Sequence, residues 1–196
     1  MSKKHRKSPW PIAGISLSFV GATGAGIVSL FALRDNNKEM LRLRDVVFAA
    51  DESSQGVQDA VGALQNHVTA HMNADPPKLG DNSAIQLKQS YERAKQAEVA
   101  RVSAARTDLA QQATIYCEAN ARNVQLSVRA ACVSQFTIDR PISEKQVVAD
   151  LYRYNFISPS WSPDLAGWSL AVACILGALF IIQVTARVIA SIIIKD

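Results

Sequence analysis

Two long apolar runs bracket a stretch of mixed, periodic character. Residues 11–33 read PIAGISLSFVGATGAGIVSLFAL, without one charged side chain. At a rise of about 1.5 Å per residue, roughly 20 residues cross a hydrocarbon core about 30 Å thick. The run therefore predicts a first transmembrane helix over residues 11–33. A second apolar run, residues 165–186, predicts a return span over residues 164–187. Between them the pattern turns amphipathic. Met40, Leu43, Val47 and Ala50 repeat at steps of three and four, and Ser54, Val57, Val61, Leu64, Val68 and His71 continue the same seam. That is a heptad pattern held over about four repeats. It fits two chain paths. One is an unbroken helix to about Met72. The other has a kink or short break at residues 51–56, with a Ser or Gln recapping a second helix. Gly56 and Gly62, each costing about 1 kcal/mol relative to Ala inside a helix, tilt the expectation towards the break.

The rest of the chain reads as further helices and one extended approach. Residues 73–82, NADPPKLGDN, predict a turn. Ser83 is placed to cap a helix running to about Ala121, with Leu87, Tyr91, Val102, Ala105, Leu109 and Tyr116 on its apolar face. Its many alanines suit close contact, and it is expected to lie antiparallel on the first helix. A shorter helix is expected over about residues 124–136. Ser143, with Gln146 three residues on, reads as a capping box for a helix to about Tyr152. Residues 153–163, RYNFISPSWSP, carry aromatics and two prolines. Proline pushes its preceding residue out of the helical region, so this segment is expected to be extended. Asp164 is placed to cap the second span.

The fold class that follows is all-α. Two transmembrane helices flank an extracytoplasmic antiparallel helical bundle, with a proline/aromatic extended segment before the second span. The expected division is a basic cytoplasmic N-terminus (1–10), the first span (11–33), a helical domain outside the cytoplasm (34–163), the second span (164–187) and a short tail (188–196). The chain has 196 residues, a formal charge of +4 and a pI near 9.1. About 130 residues lie between the spans, enough for one domain with its own core.

Where the charge sits decides what it means. The first seven residues hold Lys3, Lys4, Arg6 and Lys7 and no acid, whereas residues 35–163 hold 14 basic and 15 acidic side chains. The excess is a flank that marks the cytoplasmic side, not a nucleic-acid footprint, and no nucleic-acid partner is expected. The same cluster can meet anionic lipid headgroups, at about 1 kcal/mol per Lys or Arg. A basic start followed by an apolar run also describes a cleaved signal peptide. The run here outlasts the usual apolar region of about 7–15 residues, so an uncleaved anchor is expected. Trp10 is placed at the cytoplasmic interface, and Tyr154, Phe156, Trp161 and Trp168 at the outer headgroups. Arg187 falls where it can snorkel to the cytoplasmic interface. Both termini are thus expected to be cytoplasmic, in a plasma membrane.

Small residues recur in the first span: Gly14, Ser18, Ala22 and Gly26, with Gly21, Ala25 and Ser29 beside them. Such faces let helix backbones approach closely in lipid. The second span, with Gly167, Ala171 and Gly177, is the expected partner, and homodimerisation is the other use of the same face.

Chemistry-bearing groups are sparse. Cys117 and Cys132 are the only cysteines between the spans. Outside the cytoplasm disulfides persist, and a bond between them would close a loop of about 15 residues, contributing about 3 kcal/mol in the chain-entropy view. Two free buried thiols are the competing reading. Cys174 in the second span reads as a small side chain in a helix contact. His67 and His71 stand at i,i+4 with Asp75 near, a spacing that can present two imidazoles to one metal ion. The heptad also places His71 on the buried seam, where a hydrogen-bonded core histidine is the commoner outcome. No Gly-rich phosphate loop, GxSxG elbow or HExxH is present, so no enzymatic activity and no cofactor are expected. Asp51 and Glu52 read as a solvated helix end.

Two spans flanking a helical domain resemble the layout of four-helix-bundle input domains of bacterial chemoreceptors and sensor kinases. That likeness implies a sensory, ligand-binding module signalling through a membrane partner. Only about ten residues lie beyond each span, and Pro159 and Pro163 interrupt a stiff connection, which count against it. The chain also resembles a group of uncharacterised two-span membrane proteins from small-genome, candidate-phylum bacteria. The resembling pieces are Arg42-Leu43-Arg44-Asp45, residues 67–73 (HVTAHMN), residues 85–88 (IQLK) with Tyr91-Glu92-Arg93, the two cysteines, and residues 158–168 (SPSWSPDLAGW). This likeness implies a bacterial source and the two-span topology. The expected role is a cell-envelope protein whose helical domain mediates interaction or assembly. Its partner would be another membrane or envelope protein, or a second copy.

Overall fold

The computed structural model describes residues 12–76, 85–120 and 125–193. Trp10, Lys3, Lys4, Arg6, Lys7, Ser83 and most of the 73–82 turn lie outside the described residues. Two compact units divide the chain. The first holds the described residues of 1–50, 55–85 and 155–196, and the second holds 51–54 and 86–154.

In the first unit, helix α1 runs unbroken over Ile12–Ser53 and helix α5 over Leu165–Ile193. Both are long and apolar enough to cross a membrane, and only 11% of each apolar window is buried. A core helix of a water-soluble domain would be mostly covered. Leu17, Phe19, Val20, Leu30 and Phe31 of α1 and Ile175, Ile181 and Ile182 of α5 are instead exposed, as a lipid-facing surface requires. Helix α5 continues to Ile193, since residues 188–193 are mostly apolar and carry no stop signal.

The two helices pair in opposite directions. Ser18 Oγ donates to Gln183 Oε1 at 3.4 Å, and Ser29 Oγ donates to the Ala166 carbonyl at 3.2 Å. The Phe19 and Phe180 rings sit 5.3 Å apart. Ser18, Ser29, Ser169 and Gln183 are buried along this contact. The expected row through Gly26 and Gly177 is not what closes it, since a Cβ at either would meet open space. Gly21 is the close point: a Cβ there would lie 2.8 Å from Leu176 Cδ1. Hydroxyl groups with a carbonyl or amide to bond, and not small size alone, select the face.

Beyond the apolar stretch the chain reverses. Ser54 (φ 62°) and Gly56 (φ 64°) both adopt the left-handed conformation, and helix α2, Val57–Ala70, starts at once. Gly56 is the N-cap, with no side-chain hydrogen bond, so neither Ser nor Gln recaps it. Helix α2 returns along α1: His67 Nε2 lies 2.9 Å from the Asn36 carbonyl, and Asn36 Nδ2 donates to the Met72 carbonyl at 3.2 Å. Met40 and Val47 of α1 and Val61, Leu64 and Val68 of α2 are buried. The continuous heptad therefore belongs to two arms of one hairpin, and its seam is filled within a single chain.

The second unit is built on helix α3, Lys88–Asn120, with helix α4, Leu126–Ile138, against it. The sequence pattern pointed to the first helix as the antiparallel partner of α3. Within this unit the partners are α4 and the segment after it. The Tyr116 and Phe136 rings are 5.2 Å apart, and Tyr91 and Tyr152 are 5.7 Å apart at the other end. The helix expected from Ser143 to Tyr152 is corrected to an extended stretch, with one 3-10 turn at Ala149–Tyr152. Side chains of α3 hold that stretch out of a helix. Arg101 Nη2 donates to the Ser143 carbonyl at 2.7 Å, and the Lys145 amide donates to Glu98 Oε1 at 2.6 Å. A two-residue ladder pairs strand β1, Ile85–Gln86, with strand β2, Arg153–Tyr154, and the Leu87 amide donates to the Tyr152 carbonyl at 2.9 Å.

Candidate functional site

In the first unit, the end of α2 and the start of α5 meet in a polar collar around Asn36 of α1. Asn36 Nδ2 also donates to Asp164 Oδ2 at 3.1 Å. Asp164 Oδ1 accepts from the Gly167 amide at 3.0 Å, so it caps α5 as its position suggested. The Met72 amide donates to Ser162 Oγ at 3.1 Å, and Ser162 is fully buried. Asn73 (φ 57°) donates from Nδ2 to the Leu33 carbonyl at 3.2 Å. The Ser158 amide donates to Asp75 Oδ1 at 2.7 Å. The approach to α5 is extended, and these bonds satisfy backbone groups that neither helix nor sheet pairs. Next to the collar, the rings of Trp161 and Trp168 meet edge to face at 5.6 Å. Both are exposed, which suits an amphipathic ring at a membrane boundary.

His67 and His71 come together here, their rings stacked with centroids 4.5 Å apart. His71 is the C-cap of α2, with extended backbone, instead of a seam residue. Each ring donates to a carbonyl: His67 Nε2 to Asn36 at 2.9 Å and His71 Nδ1 to His67 at 3.0 Å. A carbonyl only accepts, so those nitrogens carry the protons in the neutral rings, and His67 Nδ1 and His71 Nε2 hold the free lone pairs. Asp75, the acid nearest in sequence, is taken up by the Ser158 amide. Among the described residues no group of three His, Cys, Asp or Glu side chains comes together. The pair's observed bonds are those of histidines fixing a helix end.

In the second unit, Cys117 and Cys132 lie at disulfide-bonding distance, S–S 2.00 Å, joining the end of α3 to α4. Cys174 is free and exposed, unlike the contact residue expected. Asp51 was expected to be solvated and is only 3% exposed. Its carboxylate accepts from the Gln89 amide (2.9 Å), the Ser90 amide (2.8 Å) and Ser90 Oγ (2.5 Å), and Arg93 Nη2 lies 3.5 Å away. It is thus the N-terminal cap of α3, supplied from more than thirty residues upstream. The only hint in the sequence is that Leu87, at the local capping position, has no acceptor. Arg101, with help from the Lys145 amide, holds the Glu98 carboxyl down from 4.5 to about 2.

Beside these bonded groups stands an apolar surface that nothing among the described residues covers. Helix α4 buries none of its residues. Leu126 is 79% exposed, Ile138 66% and Ile115 of α3 70%. A shallow cleft of about 630 Å³ on α3 is lined by Arg106, Thr107, Ala110, Gln111, Thr114 and Ile115. Arg187 is exposed near the far end of α5. Compared with protein-family models, curated proteins and solved structures, the chain matches none.

Proposed function

We propose that this is a two-span envelope protein whose second unit acts outside the cytoplasm as an interaction or assembly module. One observation carries the reading: the exposed apolar side chains of α3 and α4, which lie outside both apolar helices. Apolar exposure that gathers into a patch marks a surface that meets a partner, and these side chains lie on two helices packed against each other. The near balance of acids and bases over residues 35–163 favours a protein partner over nucleic acid. Lys3, Lys4, Arg6 and Lys7 put the N-terminus in the cytoplasm by the positive-inside rule, and a bonded cysteine pair suits the opposite, oxidising side. The partner is another membrane or envelope protein, or a second copy.

The test is capture of the intact chain from gently solubilised membranes, with mass spectrometry of what accompanies it and light scattering for self-association. The double variant Ile115→Glu, Leu126→Glu serves as the comparison. A stoichiometric envelope partner or a dimer, lost at least about tenfold in the variant, is expected for anchors at an interface centre. Association that ignores the variant, or none at all, refutes the reading. A signalling kinase as the stoichiometric partner replaces it with the sensory one.

A further inference from the structure

The two apolar helices do not close against each other along their whole length. Past the Ser18–Gln183 hydrogen bond, on the side away from the polar collar, a cleft of about 500 Å³ opens between them. Ile12 and Ile15 of α1 and Val184 and Val188 of α5 line it, with Arg187 and Ser191. Arg187 and Ser191 are four residues apart on one helix and share a face. Arg187 is exposed and forms no ion pair among the described residues. An apolar slot with an unpaired guanidinium near one end is a combination that a lipid satisfies.

We propose that this cleft binds one anionic phospholipid, with an acyl chain between α1 and α5 and its phosphate on Arg187. The proposal goes beyond the interaction module and rests on both helices being spans with their termini in the cytoplasm. From Val184 to Ser191 the cleft covers roughly 10 Å of helix, about two-thirds of one leaflet of a core about 30 Å thick. A lipid tail is as apolar as the slot, so the slot fixes where the lipid sits and contributes little selectivity. The headgroup supplies the selectivity. Guanidinium meets phosphate through two parallel N–H bonds, while the Ser191 hydroxyl donates its one proton to the Val188 carbonyl at 2.7 Å and lends no further bond. By position the cleft opens at the end of the pair that adjoins the Lys3, Lys4, Arg6, Lys7 cluster in sequence. The leaflet on that side is the one rich in anionic lipid.

The experiment is native mass spectrometry of the full chain in detergent, offered equal phosphatidylglycerol and phosphatidylcholine. The wild type is expected to keep one phosphatidylglycerol in preference. Arg187→Gln is expected to lower that preference about fivefold, the equivalent of one basic contact, and Arg187→Lys to lower it less. Ile15→Trp and Val184→Trp fill the slot from opposite walls with the charge intact, and each is expected to release the bound lipid. Replacing Lys3, Lys4, Arg6 and Lys7 by Gln is expected to leave that one lipid in place. No preference in the wild type, or no response to Arg187→Gln or to both Trp variants, overturns the proposal. Displacement by excess inorganic phosphate alone also overturns it, because the ligand is then free phosphate. Alkaline carbonate extraction of membranes reads the spans separately. A protein that stays in the membrane yet shows no lipid preference refutes the cleft, and one that washes off refutes the spans.

Discussion

Replacing Asp51 by Ala removes the cap of α3 while leaving that helix's own sequence untouched. The carboxylate receives two backbone amides of the first turn, from Gln89 and Ser90, and the Ser90 hydroxyl. Loss of an N-cap acceptor costs about 1 kcal/mol. A partly buried anion at the positive end of a helix contributes up to about 2 kcal/mol, and an orphaned hydroxyl adds about 1 kcal/mol. Because the three overlap, about 3 kcal/mol is the sensible total. Arg93 keeps its bonds to the Asp51 carbonyl and to Ser90 Oγ, so no charge is stranded. The assay is hydrogen exchange of the full chain in micelles, read at the amides of Gln89, Ser90 and the first turns of α3. Exchange there is expected to speed up about a hundredfold, with α5 unchanged. Asp51→Asn keeps one acceptor oxygen and is expected to show about a tenfold effect. Exchange within about threefold of wild type in Asp51→Ala would refute the capping account.

Three further outcomes follow from the geometry. A Cβ at Gly167 would lie 1.9 Å from the Ser162 carbonyl oxygen and 2.9 Å from Trp161 Nε1. Gly167→Ala should therefore cost about 1–3 kcal/mol, lower the thermal midpoint and alter the near-ultraviolet dichroism of the Trp161–Trp168 pair, whereas Gly26→Ala, with open space around it, should do neither. Replacing both Cys117 and Cys132 by Ser should destabilise the second unit by about 3 kcal/mol in urea unfolding, and a reductant should reproduce the effect in the wild type only. Glu98 has its carboxyl lowered from 4.5 to about 2 by Arg101 and the Lys145 amide. Its stabilising contact is complete above about pH 4.5 and is lost as pH falls through about 2; exchange at the Lys145 amide should accelerate over that window, and Glu98→Gln should abolish the dependence.

The parts of this fold that were legible in the sequence are those fixed by composition over a long window. The absence of charge over residues 11–33 and 165–186 marks the two apolar helices whatever surrounds them. The cysteine pair was legible because Cys117 and Cys132 had no competitor between the two apolar helices. What the period of three and four does not carry is direction. Met40 and Val47 keep one phase with Val61, Leu64 and Val68, and the same phase serves a straight rod or a hairpin. The reversal depends on a left-handed Ser54, an unusual choice that residue type does not announce. Ser143 and Gln146 have the right letters for a capping box, yet Arg101 and Glu98 reach the backbone there first. The same blindness to distant partners hid Asp51 as a cap. For His67 and His71 a hydrogen-bonded pair was the commoner reading of the spacing and a metal the rarer one, while the particular Asn36 and His67 carbonyls that bind one nitrogen of each ring were invisible.

The pairing of β1 with β2 has a bearing on how such a chain could be taken apart. Gln86 and Arg153 sit on adjacent strands, and neighbouring strands run about 5 Å apart. The roughly sixty residues between them leave and re-enter through one narrow gate. A cassette with touching ends can be cut out and its stumps joined by a tight turn without stretching what remains. Apart from residues 51–54, α3 and α4 are therefore an insert that can be lengthened, exchanged or deleted while the path from α2 to α5 stays the same. If relatives of this protein diverge in what they contact, this is where variation in length and sequence costs the first unit least.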